Sequence, residues 1–389
     1  MYGDRVTVRF SASTGGASLS DTIGSTPGCW DRGSEMLPTE PIGSIPRPNQ
    51  LLAGIQDFQA GRISQQELDA LYDLALQDTI RSLESTGSPV ISDGEQRKPS
   101  FATYCIHDLE TIAADGIPIV FADGHIRNLP RLTGAPFFYR TPADMYLERA
   151  QRYTRVPLKQ AVISVSALSL LYPQGGIPGY SREQYLEDLV TEQEGEIRRC
   201  LQKGAHAVQI DFTEARLSLK LDPTGRLLNS FIDLNNLVLE RFSAEERQRI
   251  GVHTCPGADR GSNHSSEVDY SELLPSLFKL QATNFYVQLA SERDHKRVLK
   301  MIKQYAKEDQ RIFVGVIDPL APHVESSEEV TERVLEAASF ISPLRLGTTD
   351  DCGFAPFSDD TSRSRETAFG KIRSRVVGTA AASKVLGLA

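Results

Sequence analysis

The sequence predicts an α/β fold, a (βα)8 TIM barrel with a short N-terminal extension and an insertion after the second strand. Three observations lead there. Short apolar runs alternate with amphipathic helical stretches from about residue 37 to the C-terminus, giving about eight β/α units. Polar residues able to do chemistry recur just after those runs, at the strand ends where barrel enzymes keep their active sites. No Gly-x-Gly-x-x-Gly follows the first run, which removes the main signature of an open, doubly wound sheet.

Taken in order, residues 1–36 are rich in Ser, Thr and Gly with one alternating run, Val6-Thr-Val-Arg-Phe10, and read as an extension, at most a small hairpin. The catalytic unit is expected over 37–389. Strands are expected at 39–45, 90–92, 161–165, 207–210, 251–253, 284–289, 312–316 and 344–347. Helices are expected at 64–86, 182–203, 229–242, 267–280, 292–305 and 327–341, with a last one at 362–386 closing the chain. The less regular span 99–157 reads as the insertion, supplying an accessory hairpin or lid.

With 389 residues, 40% hydrophobic and 24% charged, the chain can bury a sizeable core in one large or two medium domains. A net charge of −9 offers no basic field to hold a phosphate backbone, which argues against nucleic acid and for small-molecule partners. The five cysteines, Cys29, Cys105, Cys200, Cys255 and Cys352, are odd in number and widely scattered, unlike a secreted disulfide framework. The N-terminus lacks a basic-then-apolar leader, and no run approaches the ~20 apolar residues needed to cross a bilayer. A soluble, cytoplasmic protein without membrane attachment is expected.

The densest chemistry lies in Gly251-Val-His-Thr-Cys-Pro-Gly257 and Thr348-Thr-Asp-Asp-Cys-Gly-Phe354. His253 and Cys255 are two apart at a strand end, so both side chains can point one way, and Cys352 is the natural third member of a zinc site. A strand-end cysteine is more often a small buried hydrophobe. Here, however, both cysteines sit in Gly-flanked polar turns. Asp350 and Asp351 beside Cys352 would raise its pKa as a free thiol, which makes metal coordination the easier way to keep it ionised.

Other strand ends carry further candidates. Asp93-Gly-Glu95-Gln-Arg97 offers Glu95 as an anchor for an ammonium group, or is a solvated turn with Arg97 partnering a neighbour. Ile42-Gly-Ser44-Ile-Pro46 offers amides and a hydroxyl for a carboxylate, or is a plain Gly-Ser turn. Asp211, in Gln209-Ile-Asp211, can orient an amine or move a proton, and Asp318 is another strand-end acid for acid–base work. Ser166 falls at a strand end too, whereas His264 and His323 read as loop residues.

Together these segments resemble the C-terminal catalytic barrel of cobalamin-independent methionine synthase and its shorter single-barrel relatives, in the superfamily that includes uroporphyrinogen decarboxylase. The resemblance runs from about residue 37 to 386. It implies a methyltransferase in which His253, Cys255 and Cys352 hold zinc, and in which zinc presents an amino-acid thiol such as homocysteine to an alkyl donor. It also implies that Ser44, Glu95 and Asp211 hold that amino-acid thiol, the Ser44 segment at its carboxylate, Glu95 at its amine and Asp211 as a buried substrate aspartate.

Three departures stand out. Gln288 takes the place of the family's fourth zinc ligand, a glutamate. Leu320 stands where methionine synthases carry a histidine proton donor, in Asp318-Pro-Leu320-Ala-Pro. The full-length synthase also has a further N-terminal barrel that helps bind polyglutamyl folate, for which a 36-residue extension is no substitute. The leading expectation is therefore zinc-dependent methyl or alkyl transfer to a small thiol from a donor other than polyglutamyl folate, in a specialised role. The alternatives are lyase, decarboxylase or C–S bond chemistry using Asp211, Asp318 and His264, or a non-catalytic binding homologue.

Overall fold

A computed structural model describes residues 36–388. The expected extension, with its possible hairpin at Val6 to Phe10, lies outside them apart from Met36.

The described residues open with a segment whose Thr39 pairs in parallel with Thr348, followed by α1 (Asn49–Gln59) and α2 (Gln65–Glu84). Helix α2 starts where the sequence places it, because Ser64 and Glu67 form a reciprocal capping box that satisfies two otherwise orphaned amides. The insertion contains a hairpin, β1 (Ile112–Val120) and β2 (Ile126–Leu132), then α3 (Ala143–Ala150), which the sequence reading did not resolve. Next come β3 (Lys159–Ile163), the single turn α4 (Val165–Ser169), α5 (Arg182–Gln202), β4 (Ala207–Asp211), α6 (Glu214–Leu221), α7 (Arg226–Leu239), α8 (Ala244–Arg247) and β5 (Ile250–Thr254). A two-residue ribbon, β6 (Ala258–Asp259) with β7 (Ser262–Asn263), precedes α9 (Tyr270–Leu277) and β8 (Asn284–Val287). The chain ends with α10 (His295–Tyr305), β9 (Arg311–Ile317), α11 (Ser327–Ala338), β10 (Leu346–Asp350) and α12 (Arg365–Val385).

The parallel sheet runs β10-β9-β8-β5-β4-β3. Two further staves close it into a barrel, although each is reduced to an isolated bridge. Thr348 donates its N–H to Pro38 and accepts from Glu40, while Ile91 donates to Pro157 and accepts from Lys159. The first and second staves meet through Ile45 N–H to the Gly94 carbonyl, 3.0 Å, and Ser92 Oγ to the Gly43 carbonyl, 2.7 Å. The expected strands at 39–45 and 90–92 thus exist as barrel positions but not as regular strands. Pro41 and Pro46 help explain this, since neither can donate to a ladder.

Inside the barrel, Tyr286 and Phe313 stack at 4.8 Å with Ile42 beside them. Two glycines make room for these rings: a Cβ on Gly251 would come within 2.5 Å of the Tyr286 ring, and one on Gly347 within 2.5 Å of Phe313. Every residue of β3, β4, β5, β8 and β10 is buried, as expected of a sheet covered on both faces. Among the described residues, no helix is long and apolar enough to cross a membrane.

Candidate functional site

The strand ends converge as the fold requires. Asp211 ends β4, His253 is the penultimate residue of β5, and Cys352 follows β10 by two. One small cavity is lined by Ser44, Glu95, Asp211, His253 and Cys352, with Phe101, Thr213, Gly257, Ala258 and Pro356 at its wall and mouth.

His253, Cys255 and Cys352 offer ligand atoms that all lie within 4.8 Å of one another, and among the described residues this is the one such grouping of three or more metal-binding side chains. The ring of His253 lies with Nδ1 3.3 Å from the Tyr286 carbonyl. A carbonyl only accepts, so Nδ1 carries the proton and Nε2 presents a lone pair, the arrangement typical of a metal-ligating histidine. That Nε2 is buried and has no hydrogen-bond partner.

The sulfurs of Cys255 and Cys352 are 3.1 Å apart. The contact from Cys352 lowers the pKa of Cys255 well below the usual thiol range against the opposing effect of burial, and His253 assists. The same contact, with burial, pushes Cys352 well up. Burial disfavours the charged form of His253, but the Cys255 sulfur and Asp211 outweigh it and raise the pKa. Two soft sulfurs side by side and an imidazole nitrogen without a hydrogen-bond partner fit zinc.

Cys352 is placed by its neighbour. Asp351 Oδ1 accepts the N–H groups of Leu289 and Ala290 at 2.8 and 2.9 Å, and Oδ2 accepts the N–H and hydroxyl of Ser291, both at 2.7 Å. Asp351 thereby ties the end of β10 to the loop after β8. It fits only because position 315 on β9 is glycine, where a Cβ would lie 1.8 Å from Asp351 Oδ1. Burial, then the charge of Asp318, push its pKa up to about 7.

Ser44 reaches the cavity on the other side of Cys352. Its Oγ accepts the Ala355 N–H at 3.2 Å, and a Cβ on Gly353 would come 2.1 Å from that oxygen. The plain-turn reading of Gly43-Ser44 is thus too weak, because the hydroxyl is buried against the Cys352 loop. Asp211 accepts the side-chain amide of Gln209 at 2.7 Å. Burial and nearby Glu95 raise its pKa to about 7, opposed by His253. Glu95 is buried and paired with Lys98, while Arg97 points elsewhere and binds Asp69 and Asp73.

Two expected site residues stand apart from this cavity. Gln288 is buried just beyond β8, but its amide nitrogen donates to Ser291 Oγ at 2.7 Å and Glu292 Oε1 at 2.9 Å. Asp318 follows β9, and its carboxylate accepts the Leu320 N–H at 2.8 Å rather than lining the cavity. Ser166 lies in α4, donating to Glu214. His264, read from sequence as a solvated loop residue, is buried instead, packed so closely on Gly257 that a Cβ there would meet its Nε2 at 1.9 Å. Burial and Lys220 lower its pKa to about 4, which keeps the ring neutral at pH 7.

The insertion hairpin docks on the rim. Ala122 N–H donates to the Asn263 carbonyl at 2.8 Å, and Arg127 bridges buried Asp259 and Asp359. Sequence reasoning missed three residues: Phe101, which lines the cavity, and Lys98 and Arg47, which hold the Glu95 turn. Lys98, three positions after Glu95, was within reach of the sequence, whereas Arg47 and Phe101 gain their roles only through tertiary contact.

Residues 37–374 match the family described as "Cobalamin-independent synthase, Catalytic domain". The chain belongs to this family. It is therefore a methyltransferase-family enzyme of the methionine-synthase type. A methionine synthase of Sulfolobus acidocaldarius is 25% identical over 354 residues, covering 88% of this chain and 91% of that one. The 5-methyltetrahydropteroyltriglutamate–homocysteine methyltransferase of Photobacterium profundum is 22% identical over 88% of this chain but only 42% of its own length. In fold, the chain is similar to a B12-independent methionine synthase of Shewanella sp. W3-18-1 solved with selenomethionine, with a TM-score of 0.70, 19% identity, and coverage of 90% of this chain and 99% of that one.

Proposed function

We propose that residues 37–389 form a zinc-dependent methyl or alkyl transferase whose acceptor is a homocysteine-like thiol. The observation that carries this reading is the buried, unpartnered Nε2 of His253 beside the paired sulfurs of Cys255 and Cys352, with His253 and Cys352 lining the cavity that Ser44, Glu95 and Asp211 also line.

When bound by His253, Cys255 and Cys352, zinc supplies a Lewis acid that lowers the pKa of an acceptor thiol and keeps it nucleophilic at neutral pH. The chain does the rest. Ser44 receives the acceptor carboxylate, and Glu95 and Asp211 receive its ammonium group. Asp211, with a pKa near 7, can also take up the thiol proton as the acceptor enters. Asp318, held on the Leu320 amide, shapes the turn after β9 and has no evident contact with reacting atoms. Gln288 is engaged with Ser291 and Glu292, so His253, Cys255 and Cys352 are the residues that would hold zinc, beside the cavity that would receive the acceptor thiol.

The donor is proposed to be other than polyglutamyl folate. Leu320, in place of a histidine proton donor, supports a donor whose leaving group needs no proton from that turn. The test is direct: zinc-loaded protein is incubated with homocysteine and, in turn, a sulfonium methyl donor and mono- and triglutamyl methyl-pterin donors, with methionine followed by mass spectrometry. Methionine from a donor other than the triglutamyl form supports the full reading. Equal preference for the triglutamyl donor overturns the donor proposal, and a product formed without any donor overturns alkyl transfer.

A further inference from the structure

We propose that Lys98 is the positioning residue of the amine-recognition wall, holding one oxygen of Glu95 so that the other is presented to the cavity. This deepens the thiol-acceptor reading above and rests on it.

Both side chains are buried, Lys98 to 1% and Glu95 to 3% exposure. Lys98 Nζ donates to Glu95 Oε1 and to the Ala161 carbonyl, each at 2.9 Å, and lies 4.2 Å from the centre of the Tyr104 ring. An ammonium group has three N–H donors, so two oxygens and an aromatic face use up its directions. Lys98 has nothing left for a ligand and can act only through Glu95. A carboxylate accepts on both oxygens, and with Oε1 fixed, Oε2 remains for an incoming cation.

The backbone supports the same geometry. Glu95 has φ of +53°, which a side-chain-bearing residue holds only when its surroundings demand it. Asp93 accepts the Glu95 N–H at 2.9 Å. The buried Arg47 guanidinium grips the carbonyls of Glu95, Lys98 and Ala355 at 2.6, 2.8 and 2.5 Å. This clamp joins the Ser44 turn, the Glu95 turn and the loop after Cys352. Burial alone would discharge Lys98, but Glu95 and Asp93 outweigh it and hold its pKa above the usual lysine range.

An opposite role is also physically coherent: Lys98 could simply neutralise Glu95 and repel a substrate ammonium. The two roles predict opposite signs. The test measures calorimetric affinities of the zinc-loaded full chain for homocysteine and for 4-mercaptobutanoic acid, which keeps the thiol and carboxylate and lacks the amine. The proteins compared are wild type, Lys98→Met and Lys98→Arg. Positioning predicts that Lys98→Met weakens homocysteine at least about tenfold, leaves the desamino acid within about twofold, and is rescued by Lys98→Arg. Tighter homocysteine binding, or equal weakening of both thiols, overturns the proposal. Failure of wild type to bind either thiol instead overturns the acceptor reading itself.

Discussion

Cys255 Sγ and Cys352 Sγ lie 3.1 Å apart, although 97 positions separate them in the chain. The ends of β5 and β10, three places apart in the sheet order, meet there, and Asp351 pins the end of β10 to the loop after β8. Two free sulfurs held this close are placed to form a disulfide whenever no metal separates them. Treatment of zinc-free protein with diamide is expected to remove two titratable thiols and form one Cys255–Cys352 disulfide, seen by mass spectrometry after digestion. Zinc added beforehand is expected to prevent it. Retention of both thiols in the zinc-free protein would show that the sulfurs are not held together.

Gln288 gives a second prediction. A Gln288→Glu substitution places a carboxylate against Glu292, to which the Gln288 amide now donates at 2.9 Å. Repulsion would drive the new side chain away from Glu292 and favour its recruitment as a charged fourth ligand. Zinc retention in competition with a chelator should then improve by about tenfold or more, in line with the cost of losing ligand-supporting groups elsewhere. Unchanged or weaker retention would place residue 288 outside the metal's reach.

Stability should fall as pH rises through the weakly acidic range. Burial raises the pKa of Glu214 from 4.5 to about 7, against the opposing hydrogen bonds of Ser164 and Ser166. The folded chain therefore keeps this proton up to about pH 7 while the unfolded chain loses it near 4.5. The folded state binds more protons across that window, so stability is highest below it and is lost towards pH 7. Burial gives Glu196 the same direction, from 4.5 to about 7. Glu214→Gln should be more stable relative to wild type at pH 8 than at pH 5 in urea titrations. A difference independent of pH would contradict the buried, protonated assignment.

The barrel interior supplies a prediction about packing. Gly347→Ala would set a methyl group 2.5 Å from the Phe313 ring, which stacks on Tyr286. Overpacking of this kind costs about 1–3 kcal/mol. Urea denaturation should show that loss, whereas Gly175→Ala, with no atom within 4 Å of its Cβ, should show little change.

Much of this was legible in the sequence because strand alternation, helix caps and strand-end chemistry are local signals. Ser64-x-x-Glu67 and Ser326-x-x-Glu329 set two helix starts, and both form capping boxes. Ser44, Glu95, Asp211, His253 and Cys352 all reach one cavity because each lies at or just beyond the C-terminal end of its own stave. What escaped was tertiary. The first two staves are held by single bridges rather than ladders, which alternation cannot signal. Asp318 looked like its neighbours in sequence, yet its carboxylate is spent on the Leu320 amide. His264 looked solvated and is buried, because Gly257 lets the loop fold tightly over it. Lys98 stands three positions after Glu95, but its contacts with the Ala161 carbonyl and the Tyr104 ring are tertiary.

The central claim is that His253, Cys255 and Cys352 form a zinc site completed by an acceptor thiol. Zinc K-edge X-ray absorption on the zinc-loaded protein, with and without homocysteine, tests it most directly. Two sulfur neighbours without homocysteine and three with it is the expected result. A sulfur count unchanged by homocysteine, or wild-type protein that cannot be loaded beyond about half an equivalent of zinc, would contradict it.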